Sequence, residues 1–216
     1  MKHHKSYILT RLHVIALSLV VSQTLGQEVR SSWNVNAGIT ISTFAFSGDE
    51  DFSEILSDAY TSQVGYQLGL GGIIPIKGKF SLKPELQLIT RGSAYESFLG
   101  EGKSHEKLTY LSIPVLLSVN VNKLSIDFGP SVGFLLAARK KTDMGTADYD
   151  FYDETFDFGV IVGLGYDITK KIHILARYYI GIESIKDLSI ADQSNNKTEV
   201  DYKNRTLQIG LAYKLN

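Results

Sequence analysis

Eight charged residues stand at positions where polar and apolar side chains alternate: Lys83, Glu85, Arg91, Asp127, Asp157, Arg177, Glu183 and Lys214. Four are basic and four acidic. Charges enclosed within a fold must be paired. The spacing therefore predicts a polar network of internal ion pairs, not a catalytic centre. Other candidate chemistry is thin. Beyond residue 26 the only histidines are His105 and His173. His105 is expected in a loop beside Ser104 and Glu106, and His173 on a strand, neither with a second ligand at metal-binding spacing. The chain has no cysteine, so it offers no thiol nucleophile and no disulfide. No Gly-x-Ser-x-Gly sequence stands before a helix. Gly69-Leu70-Gly71-Gly72 imitates part of a dinucleotide fingerprint, but no helix follows it. No catalytic residue, cofactor or metal is expected, and the chain is not read as an enzyme. Asp49, Glu50, Asp51, Glu54 and Asp58 form one acidic cluster, and Asp143, Asp148, Asp150, Asp153 and Glu154 another. Without the spacing of a calcium loop, both read as solvated surface. Tyr149, Phe151, Tyr152 and Phe156 sit among the acids of the second cluster, where aromatics can mark a ligand or partner surface, cap the barrel or lie at the bilayer surface.

The elements that must hold these residues follow a period of two. In Trp33–Ser42, Trp33, Val35, Ala37, Ile39 and Ile41 share one face. The same alternation recurs in Val64–Ile74, Phe80–Thr90, Leu111–Val119, Ile126–Leu136, Phe156–Asp167, Ile172–Glu183 and Thr206–Leu215, which predicts about eight strands. The connections alternate in length. Pro75–Lys79, Asn120–Lys123 and Asp167–Lys171 are short, whereas Thr43–Ser62, Arg91–Lys107, Arg139–Glu154 and Ser184–Asn204 are long. Strands running up and down place all short turns at one end and all long loops at the other, as in an outer-membrane barrel. A tilted strand of about 10 residues spans roughly 23 Å, near the apolar band of such barrels.

The start of the chain supports an envelope destination. Lys2, Lys5 and Arg11 precede the apolar run Val14–Val21, and small residues at Thr24 and Gly26 predict cleavage before Gln27. Residues 1–26 are therefore expected to be a signal peptide and 27–216 the barrel domain. The 22 Lys and Arg, less the three lost with that segment, against 23 Asp and Glu leave a mature charge of −4. That balance does not suggest nucleic acid.

The polar face separates a membrane barrel from a soluble one. It is rich in glycine (Gly65, Gly69, Gly71, Gly129, Gly133, Gly159, Gly163, Gly165, Gly181 and Gly210) where a water-facing surface would carry Lys, Glu and Thr. Small residues suit a narrow interior. The bulky face carries Trp33, Tyr66, Phe80, Phe156, Tyr166 and Tyr213 near strand ends, which suits interfacial aromatic girdles. The expected architecture is all-β, an antiparallel up-and-down transmembrane β-barrel of about eight strands in the bacterial outer membrane. The alternative is a soluble, secreted or periplasmic lipocalin-like barrel whose apolar face lines a cavity for an apolar ligand.

Tyr110-Leu111-Ser112-Ile113-Pro114-Val115-Leu116-Leu117, followed by Gly129-Pro130-Ser131-Val132-Gly133, resembles the small outer-membrane β-barrel proteins of Bacteroidetes that include PorT-like members. Asn36-Ala37-Gly38 and the glycine-rich Gly159–Gly165 are similar too. The resemblance spans roughly Trp33 to Leu215. It implies a barrel with a structural, interaction or secretion-assisting role carried by long extracellular loops. A barrel of this strand number is filled by its own side chains, so no open pore is expected. The expected partners are outer-membrane lipid and envelope or secretion-machinery proteins.

Overall fold

In a computed structural model, residues 31–48, 50–96, 102–142, 145–148, 155–191 and 197–215 are described. They form a closed antiparallel barrel. The wall consists of β1 (Ser32–Gly48), β2 (Gln63–Lys77), β3 (Phe80–Glu96), β4 (Lys103–Val121), β5 (Leu124–Thr142), β6 (Phe156–Asp167), β7 (Ile172–Gly181) and β8 (Lys197–Lys214). Each strand pairs with its sequence neighbour. β1 pairs with β8 from Asn34↔Lys214 to Gly48↔Val200, which closes the ring. Closure matters because an open edge would leave backbone donors and acceptors unpaired in hydrocarbon. The expected signal peptide lies outside the described residues. So do Asp49, Asp143, Asp150, Asp153, Glu154, Tyr149, Phe151 and Tyr152.

The alternation sorts the two faces as a membrane barrel requires. The bulky set points outward: Leu164 is 58 % exposed and Leu70 55 % exposed, alongside Ile126, Phe128 and Leu211. The polar set points inward and is buried, Asp127, Ser112 and Gln208 among it. This gives the lipocalin-like alternative no support, because the alternating apolar face covers the outside of the barrel instead of lining its interior. Trp33, Tyr66, Phe80, Phe156, Tyr166 and Tyr213 are all exposed on that outer face.

Three loops expected from the sequence are shorter than predicted. In place of a loop over Arg91–Lys107, β3 continues to Glu96 and β4 begins at Lys103. β5 runs to Thr142 and pairs with a short strand, Gly145–Asp148. β8 begins at Lys197, paired with Lys186–Ala191. Over Lys103–Lys107 both faces are polar, so the hydrophobic period vanishes there while the backbone still pairs. β4 and β5 have 19 residues each. At about 3.3 Å per residue and a tilt of about 45°, such strands rise roughly 44 Å, well past an apolar band of about 25 Å. The first connection holds a helix, α1 (Glu50–Ala59), followed by Tyr60–Thr61 paired with β3. Among the described residues no helix is long and apolar enough to cross a membrane.

The β1–β8 seam depends on a glycine pair. Gly38 sits directly opposite Gly210. A Cβ on Gly38 would lie 2.3 Å from the Ile209 carbonyl oxygen and 2.7 Å from the Gly210 Cα, both backbone atoms. Backbone cannot give way as a flexible side chain can. Gly38→Ala is expected to cost about 1–3 kcal/mol by overpacking, measured by urea titration of the folded protein in lipid vesicles. An unchanged midpoint would mean that the seam is looser than drawn.

Candidate functional site: a lumen closed by ion pairs and an aromatic cap

Two buried polar clusters cross the barrel interior, both anchored on β3. Alternation places Ser81, Lys83, Glu85, Gln87 and Arg91 of that strand inward. Nearer the short turns, Arg177 of β7 makes a bidentate pair with Glu85, Nη1–Oε2 at 2.9 Å and Nη2–Oε1 at 2.8 Å. The same guanidinium donates from Nη2 to Asp127 Oδ2 of β5 at 3.1 Å. Lys83 Nζ meets Asp127 Oδ1 at 2.9 Å, and Gln87 Nε2 donates to Glu85 Oε2 at 2.7 Å. Two cations thus face two carboxylates. The bidentate fork fixes geometry as well as charge, and it ties β3 to β7 across the lumen.

Nearer the long loops, Arg91 pairs with Asp157 of β6. Asp157 also accepts from Tyr179 Oη at 2.6 Å and from Asn204 Nδ2 at 2.8 Å. The Arg91 guanidinium stacks over the Tyr179 ring, 3.7 Å from its centroid, with the Tyr110 ring 5.2 Å away on its other contact. Five strands therefore meet around one ion pair. Of the eight residues expected in an internal network, the structure places six in these two clusters: Lys83, Glu85, Arg91, Asp127, Asp157 and Arg177. Lys214 sits apart at the turn-side rim, where its Nζ meets Asp167 Oδ1 at 3.0 Å beside His173. Glu183 lies beyond the end of β7 and is exposed, which corrects its assignment to the network. Its parity is right, but the strand ends two residues too early. Tyr110, Tyr179 and Asn204 are the members that charge alone does not reveal. Their even or odd position relative to Ser112, Arg177 and Thr206 carries the signal.

Above the upper cluster the interior turns apolar. Phe44, Leu56, Ile89, Leu108, Tyr110, Ile185, Val200 and Tyr202 pack together, with Phe46, Phe52 and Tyr60 against them. Phe46 and Tyr202 meet edge to face with centroids 4.8 Å apart, and Tyr60 stacks against Phe46 at 5.0 Å. Leu56 comes from α1, so the first loop folds its helix onto the mouth. Burial raises the Tyr60 and Tyr202 phenols above their ordinary values, which keeps both protonated as donors. Below the lower cluster, a recess of about 270 Å³ opens toward the short turns, lined by Lys83, Arg177, His173 and Lys214 among others.

The reactive-looking residues are dispersed. His105 lies on β4, not in a loop, and faces outward, whereas Ser104 and Glu106 are buried on the opposite face. Gly129-Pro130-Ser131-Val132-Gly133 has the letters of a nucleophile elbow but runs straight through β5, and the Ser131 hydroxyl is shared with Ser112 at 2.9 Å. Among the described residues no group of three His, Asp or Glu could hold a metal ion.

The family model described as outer membrane protein beta-barrel domain matches residues 22–187. No curated protein matches the chain. Among solved structures, the chain is similar to Neisserial surface protein A at 14 % identity, covering 85 % of this chain and 97 % of that one with a TM-score of 0.48. It is also similar to OprG of Pseudomonas aeruginosa, at 14 % identity over 87 % and 97 % with a TM-score of 0.46. Ail of Yersinia pestis matches at 13 % identity over 86 % and 99 %, with a TM-score of 0.43.

Proposed function

The chain belongs to the outer membrane protein beta-barrel domain family and resides in the bacterial outer membrane, and from that premise we propose that it is a closed, non-enzymatic barrel working through its extracellular projection, in a structural or secretion-assisting role of the PorT-like kind. The observation that carries this reading is the obstruction at the loop side. Arg91, Tyr110, Tyr179, Ile89 and Leu108 fill the lumen at 0–1 % exposure, and α1 closes over them. Among the described residues, these side chains occupy the loop-side interior. What remains available to a partner is the tall wall of β3, β4 and β5 with the short strand Gly145–Asp148.

Purified protein in planar bilayers is accordingly expected to give no steady conductance. A photo-crosslinker at exposed Thr146 is expected to capture an envelope protein, and deletion of the protein to trap secretion cargo in the periplasm. Stepwise conductance would replace this reading with a pore. Crosslinking with no secretion phenotype would leave a structural role and remove the secretion-assisting one.

A further inference from the structure

We propose that the loop-side end of the β4–β5 hairpin binds the phosphates of an anionic glycolipid in the outer leaflet. The outward-facing residues of β4 run Val115, Ile113, Leu111 and Thr109 and then change chemistry to Lys107, His105 and Lys103. The basic residues therefore continue the lipid-facing surface upward, on the same face. On β5, a bulge does the same work. Thr109 pairs with Ala137 and Tyr110 with Leu135, so Leu136 is the extra residue. That single insertion reverses the parity of everything after it. Arg139 and Lys141 come to the outer face directly opposite Lys107 and His105. Without the bulge they would point into the apolar cap.

Like charges directly opposite on paired strands destabilise a sheet. Here Lys107 faces Arg139, with Lys141 one same-face pair further along, opposite His105, and Lys103 one same-face position beyond His105. Two acids temper the cluster without neutralising it: Asp148 lies 3.5 Å from Arg139, and Glu96 pairs with Lys103. Four cations against two carboxylates leave an excess that calls for an anion. Height selects which anion. Phe134 and Phe156, exposed with ring centroids 5.1 Å apart, lie just below the basic pair, together with exposed Leu136. Aromatic residues of this kind sit at the headgroup level. Lys107 and Arg139 therefore stand where lipid phosphates lie, with acyl chains against Leu111 and Phe134 beneath. On the other flank, Gly92 and Ala94 pair with Lys107 and His105, and the Gln63 amide reaches over Gly92 to donate to the Glu106 carbonyl oxygen. Lys107 Nζ is held 4.8 Å over the Tyr66 ring, which keeps the ammonium at the surface.

The test titrates the full mature protein with lipid A in mixed micelles and reads bound lipid by native mass spectrometry. The same lipid with its phosphates removed and soluble inositol hexakisphosphate serve as competitors. Wild type is expected to prefer the phosphorylated lipid over both. Lys107→Gln with Arg139→Gln is expected to weaken that binding about 30-fold, the loss of two cations worth about 1 kcal/mol each at an anionic surface. Lys123→Gln at the opposite rim is expected to leave it unchanged. Equal binding of the dephosphorylated lipid, or no loss in the double variant, overturns the proposal. So does competition by the soluble polyanion at the lipid's own affinity, which would assign the patch to a soluble ligand. Should the double variant lack heat-modifiable migration, salt decides: wild-type binding that is indifferent to a tenfold rise in ionic strength also overturns it.

Discussion

Replacing Asp157 with Ala is expected to lower the stability of the folded barrel by about 3–5 kcal/mol. Among the described residues, Asp157 is the carboxylate paired with Arg91, and it also accepts from Tyr179 and Asn204. Removing it strands a fully buried guanidinium whose Nε and Nη2 have no hydrogen-bond partner among the described residues. Stranding the remaining partner dominates the cost, because the intact pair contributes little beyond its own desolvation. That asymmetry separates this explanation from simple loss of packing. Arg91→Met combined with Asp157→Leu removes both charges at similar volume and is expected to recover most of the loss. Glu183→Ala, at an exposed site, is expected to change stability by no more than about 0.5 kcal/mol. The measurement is the urea midpoint in lipid vesicles, with heat-modifiable migration as the check on folding. A double variant as unstable as Asp157→Ala would show that shape, not charge, holds this layer together.

The sequence carried the wall of the barrel and half of its interior. Alternation was legible wherever one face met lipid, because lipid imposes bulky side chains on every second residue from Trp33 to Tyr213. It faded beyond the bilayer. Lys103 to Lys107 is strand with water outside and Ser104 and Glu106 inside, so nothing apolar marks the period. The ends of β3, β4 and β5 were hidden for that reason. Charge parity found the six buried partners, but it overreached at Glu183, where the period continues past the last paired residue. The aromatic cap was illegible for a different reason. Phe44 and Tyr202 lie on the face that is polar lower down, at Asn36 and Gln208. A switch from polar to apolar lining within one strand looks like a broken pattern unless the lumen is known to be closed. The bulge at Leu136 is the same kind of event at single-residue scale: it changes which side Arg139 faces, and only the register with β4 reveals it.

The lipid face yields the second large expected effect, and its depth dependence gives it force. Val115 lies outward on β4 beside buried Leu116, midway between the Asn120 end and the basic rim. Val115→Arg is expected to cost about 2–4 kcal/mol at mid-bilayer, whereas Thr109→Arg, near the loop-side interface, is expected to cost about 0–1 kcal/mol. A barrel whose outer face met water would show the opposite insensitivity, since an exposed valine replaced by arginine changes stability by no more than about 0.5 kcal/mol. The gradient between the two positions therefore measures the medium and not the side chain. It also measures registration. If the steep cost appeared at Thr109 and not at Val115, the barrel would sit about six residues deeper in the bilayer. Lys107 and Arg139 would then be pulled below the headgroups, and the wall of β3, β4 and β5 would project correspondingly less. Folding efficiency and urea midpoints of the two variants, measured in vesicles of a single lipid thickness, decide the matter.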